Sequence, residues 1–149
     1  MLPFKRILCP TDFSEPACTA IKAAAEMAKS FSAELILLHV VGPIPALETP
    51  AGVSGFDVSA YQRELTESAE SSLQMRIEAH VPDLIDSRAM VVHGEAAHEI
   101  IRVAKEEDVD LIVLATHGAT GWRKRIFGSV PGKVIKMAAC PVLTIHLDT

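Results

Sequence analysis

A chain of 149 residues, 49% hydrophobic and 22% charged, has room for one globular core and too little for two. Its formal net charge of -5 supplies no electrostatic footprint for nucleic acid or an anionic membrane, and no apolar run approaches the roughly 20 residues that span a bilayer. Three cysteines without a C-x-x-C read as free thiols in a reducing compartment, and the N-terminus MLPFKRILCPTDF carries no export signal, so the expectation is a single cytoplasmic domain over residues 1–149.

Apolar runs alternate with helical stripes along the chain, the pattern of strand and helix units around a parallel sheet. Strand one is expected at Lys5 to Cys9. Helix one begins at Ser14-Glu15-Pro16 and carries Ala17, Ile21, Ala24, Ala28 and Phe31 on one face. Strand two is Glu34 to Val41, and a long Pro/Gly-rich connection, Gly42 to Phe56, follows in the manner of a flap. Helix two, Asp57 to His80, repeats Val58, Tyr61, Leu65, Ala69, Leu73 and Ile77 at steps of three or four and is expected to cover the sheet on one side. Strand three spans Ser87 to Val92, helix three Glu95 to Glu107, strand four Asp110 to Ala115, helix four Ser129 to Ala139 and strand five Pro141 to Leu147.

Right-handed crossovers then predict an open α/β, Rossmann-type sheet of five parallel strands in the order 3-2-1-4-5, with helices on both faces. The order reverses between strands one and four, and ligands in such sheets bind outside the carboxyl ends of the strands at that reversal. The segments that end there are CPTDFS and ATHGATG.

The stretch ATHGATGWRKRIFGS, Ala115 to Ser129, joins a buried apolar strand to a helix start. Gly118 permits a positive φ or a close backbone approach, and Gly128 precedes Ser129, a natural N-cap; the free amides and the positive end of the helix dipole suit an anion. A turn glycine and an ordinary cap would look the same. Gly128, Gly132 and Lys133 are not a Walker loop, since three residues rather than four separate the glycines and Val134 stands where Ser or Thr is needed. The turn Pro10 to Pro16 has no glycine, which excludes a dinucleotide fingerprint.

Asp12, just past strand one, either accepts from a ribose hydroxyl or base amine across the crevice or caps helix one. Arg123, Lys124 and Arg125, with Trp122 and Phe127, either close over phosphate or form a solvated basic stretch with two anchors, and are left outside the site. His93 and His98 are five apart with no further ligand, so no metal site is expected.

PTDFS at 10–14, LLHV at 37–40, HG-x9-GS from His117 to Ser129 and CPVL at 140–143 resemble the universal stress protein family over essentially the whole chain. The resemblance implies a flavodoxin-like domain, usually a homodimer, whose nucleotide-binding branch holds ATP, ADP or AMP without a Walker loop, with Mg²⁺ able to accompany the nucleotide. By position it implies that Pro10 and Thr11 shape the turn from which Asp12 contacts adenosine, and that the Val40 backbone borders adenine. Ala115, His117 and Gly118 would pass along ribose and phosphates, and Gly128, Ser129 and Val130 would donate to phosphate. Two departures stand out: Ala115 replaces a family glycine, and Pro131-Gly132 replaces a polar pair.

The functional expectation is a nucleotide-dependent stress-response regulator, with Ala119 to Phe127 as the switch and the strand-five edge, PVLTIHL, pairing with a second copy. The alternative is a dimeric interaction module of the same fold that binds no nucleotide. No nucleophile or second carboxylate stands near the phosphate position, so no catalytic residue is assigned and at most slow ATP hydrolysis is expected. An adenylyl- or phosphoryl-transferring enzyme lacks its nucleophile.

Overall fold

Ile7, Leu8 and Cys9 have no solvent-accessible surface, and the strand that carries them, β1 (Arg6–Pro10), is accordingly the centre of the sheet. The computed structural model describes residues 1–44, 57–116 and 129–147. Within them β1 is followed by α1 (Glu15–Phe31), β2 (Glu34–Val41), α2 (Val58–His80), β3 (Ser87–His93), α3 (Ala96–Glu106), β4 (Leu111–Ala115), α4 (Ser129–Met137) and β5 (Val142–Ile145). The strands lie in the order β3-β2-β1-β4-β5, all paired in parallel, as the crossover rule predicts. Leu8 pairs with Ile36 on one side and Ile112 on the other. Asp12 and Thr116 therefore leave the sheet from neighbouring strands, four residues past a register pair.

Each face has its own core. Ala20, Ile21, Ala24, Ala25 and Ala28 of α1 and Leu73 of α2 pack on Ile7, Leu35, Leu37, Leu111 and Val113. Alanines make up five of the six buried residues of α1, which lets the helix approach the strands closely. On the other side Ala97, Ile100, Val103 and Ala104 of α3 and Val134 of α4 pack on Leu8, Ile36, Leu38, Ile112 and Leu114.

Helix α2 departs from its expected coverage. Ala69 and Leu73 are its buried residues, whereas Val58 and Tyr61 keep 40% and 39% of their surface. A 23-residue helix is about 34 Å long and the seven residues of β3 reach about 23 Å, so the stripe runs beyond the sheet beneath it. None of the described helices is long and apolar enough to cross a membrane.

The amino ends of the strands are bound together by charge. Glu34 receives Arg6 Nε at 3.0 Å and Arg88 Nε at 2.6 Å; Arg88 also pairs with Glu107, and Arg6 Nη1 donates to the Glu107 carbonyl at 2.8 Å. Asp110 Oδ2 accepts from the backbone amides of Lys5 and Arg6 at 2.7 and 2.9 Å. The Arg88 guanidinium, then Arg6, holds the Glu34 carboxyl below its ordinary value of 4.5. A carboxyl depressed in the folded state stabilises the protein above its unfolded pKa, and the contribution fades as pH falls through the folded value. Glu34→Gln is therefore expected to lower stability at pH 7 by about 1 kcal/mol, roughly 2–4 °C in Tm, and to cost little once Glu34 is protonated. Thermal melts at pH 7 and pH 2.5 check this; an equal loss at both would overturn the charge argument.

Candidate functional site

At the opposite end of the sheet, the turn after β1 is braced at every residue. Pro10 closes the strand beside Leu38, and the buried Thr11 donates its amide to the Leu38 carbonyl at 2.8 Å. Thr11 Oγ1 accepts from the Phe13 amide at 3.1 Å, and its carbonyl lies 2.8 Å from His39 Nδ1. A carbonyl only accepts, so the His39 proton sits on Nδ1. Phe13 holds a φ of 66°, strained for an aromatic residue, against two anchors: its ring stacks on His39 with centroids 4.5 Å apart, and its carbonyl accepts from Arg76 Nη2 at 3.1 Å.

Asp12 is exposed at the crest of this turn, where Oδ1 accepts from the Ser14 amide at 3.0 Å. Ser14 in turn caps α1 by accepting from the Ala17 amide at 3.4 Å. The two polar residues thus divide the work: Ser14 caps the helix, and Asp12 fixes the turn before it and presents a carboxylate outward.

Val40 lies near the carboxyl end of β2, opposite Val92, with its side chain on the α3-side core. Ala115 ends β4 opposite Ile145, and its methyl packs against the α1-side core. The next residue, Thr116, is fully buried; its amide donates to the Ile145 carbonyl at 3.1 Å and Oγ1 lies 3.1 Å from His146 Nδ1. His117, Gly118, Gly128 and the expected switch, Ala119 to Phe127, lie outside the described residues, as does most of the Gly42 to Phe56 connection.

The described part of α4 begins at Ser129, and Gly128 before it lies outside the described residues, so the cap expected at Ser129 stays an expectation. Val130 packs on the α3-side core, and Pro131 is buried in the same turn. Ser129 and Val130 are the first described residues of α4, and amides at a helix start favour an anion. Lys133 Nζ, one turn on, meets Glu95 Oε1 at 3.3 Å. Glu95 caps α3 through the His98 amide, and that bond, the His98 ring and Lys133 hold its carboxyl at about 2. The starts of α3 and α4 are thereby tied beside each other.

Pro10, Thr11, Asp12, Val40, Ala115, Ser129 and Val130 are thus found at strand carboxyl ends or the α4 start. Sequence reading missed Phe13, His39 and Arg76 as the turn's supports; contacts between residues 26 and 63 positions apart leave no periodic signal. His93 and His98 have separate partners, Thr66 Oγ1 and Glu95, and no group of three or more His, Cys, Asp or Glu among the described residues is placed to hold a metal. An exposed carboxylate and a helix start suit a ligand that donates at one end and carries negative charge at the other.

Residues 3–146 match the model of the universal stress protein family. The chain is 32% identical over 154 aligned positions to universal stress protein MJ0577 of Methanocaldococcus jannaschii, covering 95% of this chain and 94% of that one. A solved structure of MJ0577 superposes with a TM-score of 0.83 at 31% identity, covering 98% of each chain. Two more distant solved structures share the fold: a universal stress protein in complex with cAMP (20% identity, TM-score 0.67, covering 96% of this chain and 97% of that one) and one from Archaeoglobus fulgidus in complex with dAMP (21%, 0.59, 97% and 99%).

Proposed function

Because the chain belongs to the universal stress protein family, we propose that it binds an adenosine nucleotide where the strand order reverses between β1 and β4, and that occupancy regulates a stress response. Adenosine lies beside Asp12 and the Val40 backbone; ribose and phosphates run past Ala115, His117 and Gly118 toward Gly128, Ser129 and Val130. The observation that carries this reading is the braced Thr11–Phe13 turn, in which five hydrogen bonds and a ring stack fix the backbone around the exposed Asp12 at the reversal. Adenosine compounds are the class to test first, since two universal stress proteins of this fold hold cAMP and dAMP.

ATP is the preferred ligand of this reading, with ADP or AMP and an accompanying Mg²⁺ as its variants. Equilibrium binding of all three, with and without Mg²⁺, tests it. Saturable binding with a raised Tm supports the proposal; no shift with any of them at millimolar concentration leaves the interaction module that binds no nucleotide. The same proposal pairs β5 with a second copy in the cytoplasm: β5 is the sheet edge, and Leu143 and Leu147 on and beyond it are exposed. Sedimentation equilibrium is expected to give twice the chain mass.

A further inference from the structure

Helix α1 carries a thiol that the nucleotide reading does not use. Cys18 Sγ lies 2.9 Å from Nε2 of His80, in the last turn of α2, and Arg76 Nη1 reaches the same sulfur at 3.8 Å. The second amino group of Arg76 donates to the Phe13 carbonyl at 3.1 Å, which holds the guanidinium beside the sulfur. His80 and Arg76 are one helical turn apart and address α1 together, and all three side chains are half-buried. A thiol with a base at hydrogen-bond distance and an anchored cation beside it is the arrangement that activates cysteine.

We propose that Cys18 is a base-assisted nucleophile and a thiolation site, which takes a small disulfide as substrate and becomes a mixed disulfide. His80 Nε2 accepts the Cys18 proton, and the thiolate attacks one sulfur of the small disulfide. A new S–S bond forms as the old one breaks, the bonding pair departs on the second sulfur, and that sulfur takes the proton from His80. One thiol is consumed and one released; the small disulfide is the oxidant. Arg76 offsets the negative charge on sulfur throughout.

The remaining groups agree. Burial, then the charges of Lys22 on α1 and Arg76 on α2, lower the pKa of His80, which keeps Nε2 an acceptor but makes the ring a weaker base than a free imidazole, so the Arg76 charge beside the sulfur has to share in favouring the thiolate. Cys9 is fully buried and its thiol is pushed up to about 12, and Cys140 is raised chiefly by burial, so neither competes. The proposal does not rest on nucleotide binding.

Reaction of the full-length protein with oxidised glutathione, followed by intact mass and peptide mapping, tests it. One adduct per chain on Cys18 is expected, absent in Cys18→Ser and unchanged in Cys140→Ser. An unassisted thiol is only a few per cent ionised at pH 7, so full activation gains at most about thirtyfold; His80→Gln is expected to slow the reaction about tenfold and to move its pH profile upward. Should that variant fail to fold, Arg76→Gln is expected to slow the reaction as well. Modification of Cys140 in preference to Cys18, or a folded His80→Gln or Arg76→Gln with the wild-type rate and pH profile, would overturn the proposal.

Discussion

Asp12→Ala is expected to weaken binding of adenosine, AMP and ATP alike, by roughly 10- to 100-fold, because a charge-assisted hydrogen bond to a carboxylate is worth about 1.5–3 kcal/mol. The loss is shared by all three ligands because Asp12 addresses the nucleoside part. Alanine also removes the acceptor that holds the Ser14 amide at 3.0 Å, so a second effect, about 1 kcal/mol of stability from the loosened turn ahead of α1, accompanies it. Asp12→Asn separates the two. Its amide oxygen keeps an acceptor for Ser14 and preserves Tm, while the charge facing the ligand is gone, so affinity falls without a loss of stability. Titration calorimetry on both variants decides: wild-type affinity in each would remove Asp12 from the site. Weak binding by the alanine variant alone would assign the effect to turn geometry.

The architecture was legible because a strand buried on both faces has to be apolar at every position. Leu35 to Leu38 and Ile112 to Leu114 are such runs, and they are where β2 and β4 lie. Strand order then followed from handedness, which with helices on both faces favours 3-2-1-4-5 among the open-sheet orders without making it the sole one. What periodicity could not reveal was length relative to the sheet: the α2 stripe reads as one continuous apolar face, yet Ala69, Leu73 and Ile77 from its midpoint onward are packed while Val58 and Tyr61 at its start are exposed. The candidate site was half legible. Residue type and position drew attention to Asp12 but left it between two roles, and only the Ser14 bond shows that the helix cap is a different residue. The supports of that turn were hidden altogether, since Phe13 meets His39 and Arg76 through the packing of α2 and β2 around it, a relation with no counterpart in local spacing.

Ser129→Pro tests the other end of the ligand. Proline is favoured at the first helical position, so the substitution removes one amide while leaving α4 formed, and the buried Pro131 shows that this turn already accommodates one proline. If the Ser129 amide donates to phosphate, ATP affinity falls about tenfold, the lower range for a hydrogen bond to a charged acceptor at an exposed helix start, and adenosine affinity stays as in the wild type. Ser129→Ala keeps the amide and loses the hydroxyl, so the alanine variant measures the side chain alone. The contrast with Asp12 is the decisive part: a defect at residue 12 travels with the nucleoside and a defect at residue 129 with the phosphates. Equal losses for adenosine and ATP in Ser129→Pro would mean that α4 has moved as a body. No loss for either would place the phosphates away from this helix, and the strand-order reversal between β1 and β4 would then have to be read as a nucleoside site.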